Sequence, residues 1–134
     1  MNKLLLILFL LCTSFQLSHS QAMQDTTVYK VVEQMPSFPG GDAEMQRYIG
    51  SRVDLSKLTK EDYIRQGRIN IGFIVETDGT LSNIEVKTVS GENTSNAFAE
   101  VIKNMPKWIP GKHEGKNVRV YYFIPMNISL KQRD

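Results

Sequence analysis

The sequence contains very few of the side chains that perform chemistry in proteins. Its 134 residues include one cysteine, Cys12, and two histidines, His19 and His113. A disulfide needs two cysteines and a zinc site needs a cluster of ligands, so neither is expected. Serine and cysteine hydrolases need a histidine beside the nucleophile, whereas His113 lies in a glycine-rich loop between Gly111 and Gly115. An enzyme is therefore disfavoured, and no metal or other cofactor is expected.

The chain also lacks an excess of charge of either sign. It carries 16 basic and 14 acidic side chains, for a net charge of +2. Nucleic acids and anionic lipids are bound by clustered Lys and Arg, so neither is expected as a partner. The adjacent acids Glu61 and Asp62 are more typical of a solvated helix face than of an acid–base pair. Gly40-Gly41 lacks the spacing of a phosphate-binding loop.

The first 20 residues have the organisation of a secretory signal peptide. Lys3 supplies the positive start, Leu4–Leu11 is an unbroken apolar run, and Ser18-His19-Ser20 places small residues before a cleavage site. We expect cleavage between Ser20 and Gln21 and export from the cytoplasm. The mature chain then has 15 basic and 14 acidic side chains and no cysteine, so it depends on an apolar core.

An uncleaved inner-membrane anchor is the alternative for this segment. Even when extended to Leu17, the apolar run has about 14 residues, fewer than the roughly 20 that span a bilayer. Lipidation at Cys12 is disfavoured because the bulky Leu11 precedes it. Residues 21–27 are polar and aperiodic, and we expect a disordered lead-in there.

A β-hairpin is the strongest structural signal in the sequence. Ile69, Ile71, Phe73 and Val75 recur at every second position, which is the period of a strand with one buried face. Asp78-Gly79 follows directly, and this pair between apolar runs predicts a two-residue type I′ turn. A second strand is expected over Leu81–Val89, and Gly67 before the first strand ends the preceding helical segment.

The last strand is predicted over Val118–Leu130. Every second residue from Val118 is apolar, so this is the longest strand of the chain. Pro125 lies inside it, and proline has no N–H to donate to a neighbouring strand. Because proline in sheets is confined to edges and bulges, the strand is expected at the edge of the sheet.

Two helices and an N-terminal arm complete the predicted elements. Asp42 is a plausible N-cap of the first helix, whose core-facing stripe contains Met45, Tyr48 and Ile49. The second helix is expected over roughly residues 95–105, where Pro106 ends it. Between them, residues 55–64 are weakly helical or turn-like, and Val28–Val32 is expected to be a short edge strand or an arm.

These elements predict an α+β domain with one sheet and one layer of helices. The sheet is expected to contain three antiparallel strands in the order 2-1-3. Both helices are expected on the face that carries Ile69, Phe73, Val120 and Ile124.

An edge strand exposes backbone N–H and C=O groups, and one use of such groups is to receive a strand from a partner. Side chains on alternate positions, Arg119, Tyr121 and Phe123, would then select the guest. The alternative is that these three are covered by the N-terminal arm or by the loop that contains Trp108.

Three segments of the chain resemble the TonB C-terminal domain family. They are VEQMPSFPGGDAEMQRYI, QGRINIGFIVETDGTLSNIEVKTVSG and NMPKWIPGKHEGKNVRVYYFIPMNISL, and the resemblance covers the domain from 28 to 131. It implies a small periplasmic α+β domain that binds the TonB-box segment of outer-membrane TonB-dependent receptors, or another envelope protein, by strand addition, as part of transmembrane transport.

By position, the resemblance places the binding edge on the last strand and a core motif around the hairpin. The edge comprises Arg119, Val120, Tyr121, Tyr122, Phe123, Ile124, Pro125, Met126 and Asn127, and the motif comprises Gln66, Gly67, Arg68, Asp78 and Gly79.

Two further expectations concern partners. Only about seven residues separate Gln21 from Val28, at most ~25 Å of extended chain, so the proline-rich spacer of family transducers is not expected there. The alternative to a receptor-binding module is a structural or assembly protein whose edge strand pairs with a second copy of itself.

Overall fold

The computed structural model describes residues 25–64 and 67–129, which form a sheet with three helices. The α+β class is confirmed, although two helices were expected. The signal segment with Ser20 and Gln21, most of the lead-in, and Gln66 lie outside the described residues. The elements are β1 (Val28–Tyr29), α1 (Asp42–Arg52), α2 (Lys60–Ile64), β2 (Arg68–Val75), β3 (Leu81–Thr88), α3 (Glu92–Lys103), β4 (Gly111–His113) and β5 (Lys116–Asn127).

The sheet is larger than the sequence predicts. Five strands are present, in the order β1-β5-β2-β3, with β4 also paired to β5. β1 runs parallel to β5, whereas the other pairs are antiparallel. The expectation of three antiparallel strands was therefore wrong, although the three long strands stand in the order 2-1-3. The two additional strands have two and three residues, too few for any period to be visible.

The turn between β2 and β3 is not the predicted type I′ turn. The Glu76 N–H donates to Thr80 O at 2.8 Å and the Gly79 N–H donates to Glu76 O at 2.9 Å, which closes a three-residue loop. Gly79 has a φ of 85°, but Asp78 is not in the left-handed region. A type I′ turn needs two such residues. They occur instead at Glu114 and Gly115, with φ of 50° and 74°, where β4 turns into β5.

Both long helices begin after a glycine. Gly41 and Gly91 are the N-caps, with φ of 90° and 109°, and neither helix has a side-chain cap. Asp42 is thus the first residue of α1 and not its cap. The predicted start of α3 near residue 95 was also wrong, since the helix begins at Glu92. In both helices an acidic residue occupies the first turn, where the helix dipole favours it.

The hydrophobic core lies between the sheet and the helices α1 and α3. Ile69, Phe73 and Ile124 of the sheet belong to one buried cluster with residues of both helices, which confirms the predicted face. The Trp108 ring meets Phe73 edge-on, with 5.2 Å between the ring centroids. Phe38 is 3% exposed and packs on Trp108, so this proline-flanked residue anchors its loop to the core.

Asp62 is buried, which corrects the expectation of a solvated carboxylate. It is 5% exposed and accepts hydrogen bonds from the Thr59 N–H at 2.7 Å and from Asn93 Nδ2 at 3.2 Å. The first bond caps α2, and the second ties α2 to the start of α3. Because the carboxylate is satisfied by these donors, its role is structural.

Candidate functional site

Part of β5 has a strand on one side only. β2 pairs with Val120–Asn127 along the inner side. β1 pairs with Arg119 and Val120 on the opposite side, and β4 pairs with Lys116–Val118. In the described part of the chain, no strand lies against the outer side from Tyr121 to Asn127. We call this stretch the free edge.

The register between β2 and β5 identifies the backbone groups on the free edge. The Ile128 N–H donates to Gly67 O at 2.9 Å, so this pair is hydrogen-bonded across the two strands. Bonded and non-bonded pairs alternate along an antiparallel ladder, and the β2–β5 register has no shift. The residues with even numbers therefore bond to β2, while Tyr121, Phe123, Pro125 and Asn127 turn their backbone groups outward.

Pro125 fits this register. It lies opposite Asn70 in a non-hydrogen-bonded pair, so its nitrogen faces the free edge and no bond to β2 is lost. The parallel pair of Tyr29 with Val120 uses the Tyr121 N–H, because the backbone groups of Val120 itself bond to β2. The free edge consequently offers two N–H donors, at Phe123 and Asn127, and four carbonyl acceptors. The inference from Pro125 to an unpaired edge was sound for this stretch. It was wrong for the whole strand, because β1 and not β5 is outermost in the sheet.

The side chains of the free edge alternate between two faces. Val120 and Ile124 are buried on the helix face, and Tyr122 stacks on Phe73 there. Tyr121 and Phe123 lie on the opposite face and are 38% and 50% exposed. Trp108 packs on Tyr122, on the helix side of the sheet, so its loop does not cover them.

Gly72 provides the space in which Tyr121 rests. A Cβ atom added at Gly72 would overlap the Tyr121 hydroxyl, so the ring of Tyr121 lies back over β2. Phe123 is left as the more exposed aromatic ring beside the free edge.

Arg119 binds the chain just before β1, so its side chain is not available to contact the side chains of a guest strand. Its Nε donates to Glu76 Oε2 at 2.7 Å, its Nη2 donates to Glu76 Oε1 at 3.0 Å, and its Nη1 donates to Thr26 O at 2.9 Å. Ser82 Oγ donates to the same carboxylate at 2.6 Å. The hydrogen bonds from Arg119 lower the pKa of Glu76, and the carboxylate raises the pKa of Arg119.

Glu76→Gln is expected to lower the stability of the domain in a pH-dependent way. The folded pKa of Glu76 lies below its ordinary value of 4.5, so the ionised group stabilises the fold above that pH. This contribution is lost as the pH falls through the lowered pKa. The difference in urea midpoint between wild type and Glu76→Gln should therefore be largest above pH 4.5 and should shrink as the pH falls below that value. A difference that is constant with pH would contradict a role for the ionised pair.

A cleft of about 700 Å³ lies beside the free edge. One wall consists of Tyr121, Tyr122 and Phe123 of β5. The other consists of Lys30, Met35, Pro36, Ser37 and Asp42, which belong to the chain after β1 and to the first residue of α1. We call this space the edge cleft. Burial and the negative charge of Asp42 raise the pKa of the Tyr122 hydroxyl, so Tyr122 remains a neutral donor at physiological pH.

His113 has the surroundings of a structural residue. Its ring lies against Tyr29, with 5.3 Å between centroids, and its Nδ1 is 3.8 Å from Glu33 Oε1. These contacts attach the chain around β1 to the β4–β5 hairpin. Within residues 25–64 and 67–129 there is no group of three His, Cys, Asp or Glu side chains arranged to hold a metal ion.

The remaining predicted residues have separate positions. Gly67 and Arg68 lie at the start of β2, where Arg68 is opposite Asn127 at the far end of the free edge. Asp78 and Gly79 lie in the turn at the other end of β2. The Thr80 side chain and N–H donate to Asp78, which lowers the pKa of that carboxyl. Sequence reasoning missed Lys30, Met35 and Asp42, because no local pattern indicates that they lie beside β5.

Comparison with family models identifies the family of this chain. The model of the Gram-negative bacterial TonB protein C-terminal region matches residues 64–130, half of the chain. The solution structure of the Helicobacter pylori TonB C-terminal domain aligns with 25% sequence identity over 71% of this chain and 89% of that one, with a TM-score of 0.44. A comparison with curated proteins gives no match. Among the described residues, no helix is both long and apolar enough to cross a membrane. The chain belongs to the TonB C-terminal family, whose non-enzymatic domains bind outer-membrane receptors in transport.

Proposed function

We propose that this protein is a periplasmic binding module that takes the TonB-box segment of an outer-membrane TonB-dependent receptor as an added strand. The guest would lie along the free edge, Tyr121–Asn127, beyond the point where β1 leaves β5. The observation that carries the proposal is the row of outward backbone groups from the Tyr121 carbonyl to Asn127, which no described strand satisfies. The signal segment ending at Ser20 would export the protein, and residues 28–131 would form the binding domain.

Three features of the free edge support strand addition. Its inner side is fixed to β2 over seven residue pairs, so the edge is held in an extended conformation before a guest arrives. Backbone hydrogen bonds would supply affinity that does not depend on the guest sequence. Phe123 and Tyr121 provide exposed aromatic surface on the adjoining face, where alternate guest side chains would pack.

Calorimetric titration tests the proposal directly. The probes are acetylated 12-residue peptides that carry the N-terminal segments of outer-membrane receptors encoded in the same genome. We expect at least one of them to bind with a stoichiometry of one to one. His113→Ala should weaken binding less than a proline introduced into the free edge, because His113 is in β4 and lines neither the free edge nor the edge cleft. The absence of detectable heat with every peptide would contradict the proposal.

Self-pairing is a second candidate function, and the same free edge favours it. Two copies related by a two-fold axis would place one free edge antiparallel to the other, and Phe123, half exposed, would be shielded in such a dimer. Sedimentation velocity at micromolar concentration separates the two functions. A monomer that binds receptor peptides supports the first, and a dimer that dissociates only when the edge is altered supports the second.

A further inference from the structure

We infer that the edge cleft selects the guest by accepting one bulky apolar side chain, namely that of the guest residue opposite Tyr122. This inference rests on the proposed function and adds to it a specificity pocket built from the chain between β1 and α1. Strand addition alone would bind any extended segment, because backbone groups are the same in every sequence.

The pleat of the sheet determines which guest side chain enters the cleft. Directly opposed residues on neighbouring strands point to the same face. Tyr122 points to the helix face, where it meets Phe73 and Trp108. A guest residue opposite Tyr122 therefore also points to the helix face, toward Pro36, Ser37 and Asp42 in the far wall. This holds whether the guest runs parallel or antiparallel to β5.

The lining of the edge cleft favours an apolar side chain. Met35 is 39% exposed beside Pro36, and Tyr122 and Phe123 contribute aromatic surface to the lining from the two faces of β5. The two charged residues of the lining, Lys30 and Asp42, have opposite signs, so the cleft offers no net charge to a charged guest residue. A volume of about 700 Å³ is sufficient for a large side chain together with part of its backbone.

The far wall is held in position before any guest binds. Gln34 and Lys112 exchange two backbone hydrogen bonds of 3.0 and 2.8 Å, and Ser37 and Ile109 exchange two of 3.0 and 2.8 Å. These bonds attach both ends of the segment that contains Met35 and Pro36 to the chain around β4. A preformed wall costs little ordering entropy when a guest side chain enters, so it discriminates by shape.

The experiment is a double-mutant cycle between Met35 and the peptide. Met35→Ala removes apolar surface from the far wall, and Ile64→Ala is the matched control, because Ile64 is also exposed and apolar but lies in α2 and is not part of the cleft. The probes are the 12-residue receptor peptides defined above, each with alanine at successive positions. We expect Met35→Ala to weaken binding about fivefold and Ile64→Ala to have no effect. The fivefold loss should disappear with the one peptide whose apolar residue opposite Tyr122 is already alanine.

Nuclear magnetic resonance of the same complexes distinguishes failure of the pocket from failure of the proposed function. Protection of the Phe123 amide reports strand addition, and a shift of the Met35 methyl signal reports occupation of the cleft. Both changes together with the coupled loss of affinity support the inference. Protection of the amide without coupling to Met35 overturns the pocket and leaves strand addition intact. A peptide that binds without protecting the amide, or no binding by any peptide, overturns both.

Discussion

Phe123→Pro is expected to weaken binding of the receptor peptides by at least about tenfold while the domain remains folded. The Phe123 N–H faces the free edge and bonds to nothing in β2, so its loss should leave the β2–β5 ladder intact. A guest strand, however, would lose this donor and would meet a second proline ring two residues from Pro125. Calorimetry measures the affinity, and thermal unfolding checks the fold.

Phe123→Ala is the matched control for this change. It removes the same aromatic ring but retains the backbone N–H, so the difference between the two variants reports the contribution of the edge itself. Tyr122→Pro serves a different purpose, because the Tyr122 N–H bonds to β2, and we expect that variant to unfold the sheet. Equal affinities for Phe123→Pro and Phe123→Ala would contradict backbone pairing at this edge.

Gly79→Ala is expected to lower the free energy of unfolding by about 3 kcal/mol. Gly79 has a φ of 85°, and a Cβ atom there would overlap the carbonyl oxygen of Trp108. The Trp108 N–H donates to Gly79 O at 2.9 Å, so the segment that contains Trp108 cannot move away from the turn without losing this bond. Displacing Trp108 would also disturb its packing on Phe73. Urea denaturation measures the change.

Gly115→Ala separates the two causes of that loss. Gly115 also has a positive φ, of 74°, but an added Cβ atom there would meet nothing within 4 Å. This variant should lose only the cost of the left-handed backbone, about 1 kcal/mol. Similar losses for the two variants would show that contact with Trp108 contributes nothing.

The alternation of apolar and polar residues along the sequence was sufficient to predict the three long strands and the buried face of the sheet. Ile69, Phe73 and Ile124 are buried on one face because strands place every second side chain on the same side. Pro125 indicated an unpaired side of β5 for a physical reason that the register bears out. In both cases the determining interaction is local, either between neighbouring residues or within one strand.

The parts that could not be predicted depend on contacts between distant residues. β1 pairs with Arg119 and Val120, about 90 residues later in the chain, and it shortens the edge that was expected to begin at Arg119. β4 contains only three residues, and its type I′ turn at Glu114 and Gly115 lacks the usual Asn-Gly or Asp-Gly pair. Residues of the edge cleft come from three separate segments.

The helix starts show how a general preference is replaced by a specific alternative. The sequence offers residue types that are common at N-caps near both helix starts, namely Asp42 for α1 and Asn93, Thr94 and Ser95 for α3. In the structure the N-cap positions are occupied by Gly41 and Gly91, which have positive φ, a conformation that glycine adopts at little cost. The chain thereby turns sharply into each helix, and in α3 this allows Asn93 to bond to Asp62.

Amide hydrogen exchange along β5, measured with and without a bound receptor peptide, tests the central claim most directly. In the free protein the amides of Phe123 and Asn127 should exchange rapidly, whereas those of Tyr122, Ile124 and Met126 should be protected by β2. A bound peptide should slow the exchange of the first two. If the peptide binds and these two amides still exchange as fast as before, or if they are already protected in the free protein, strand addition at this edge is wrong.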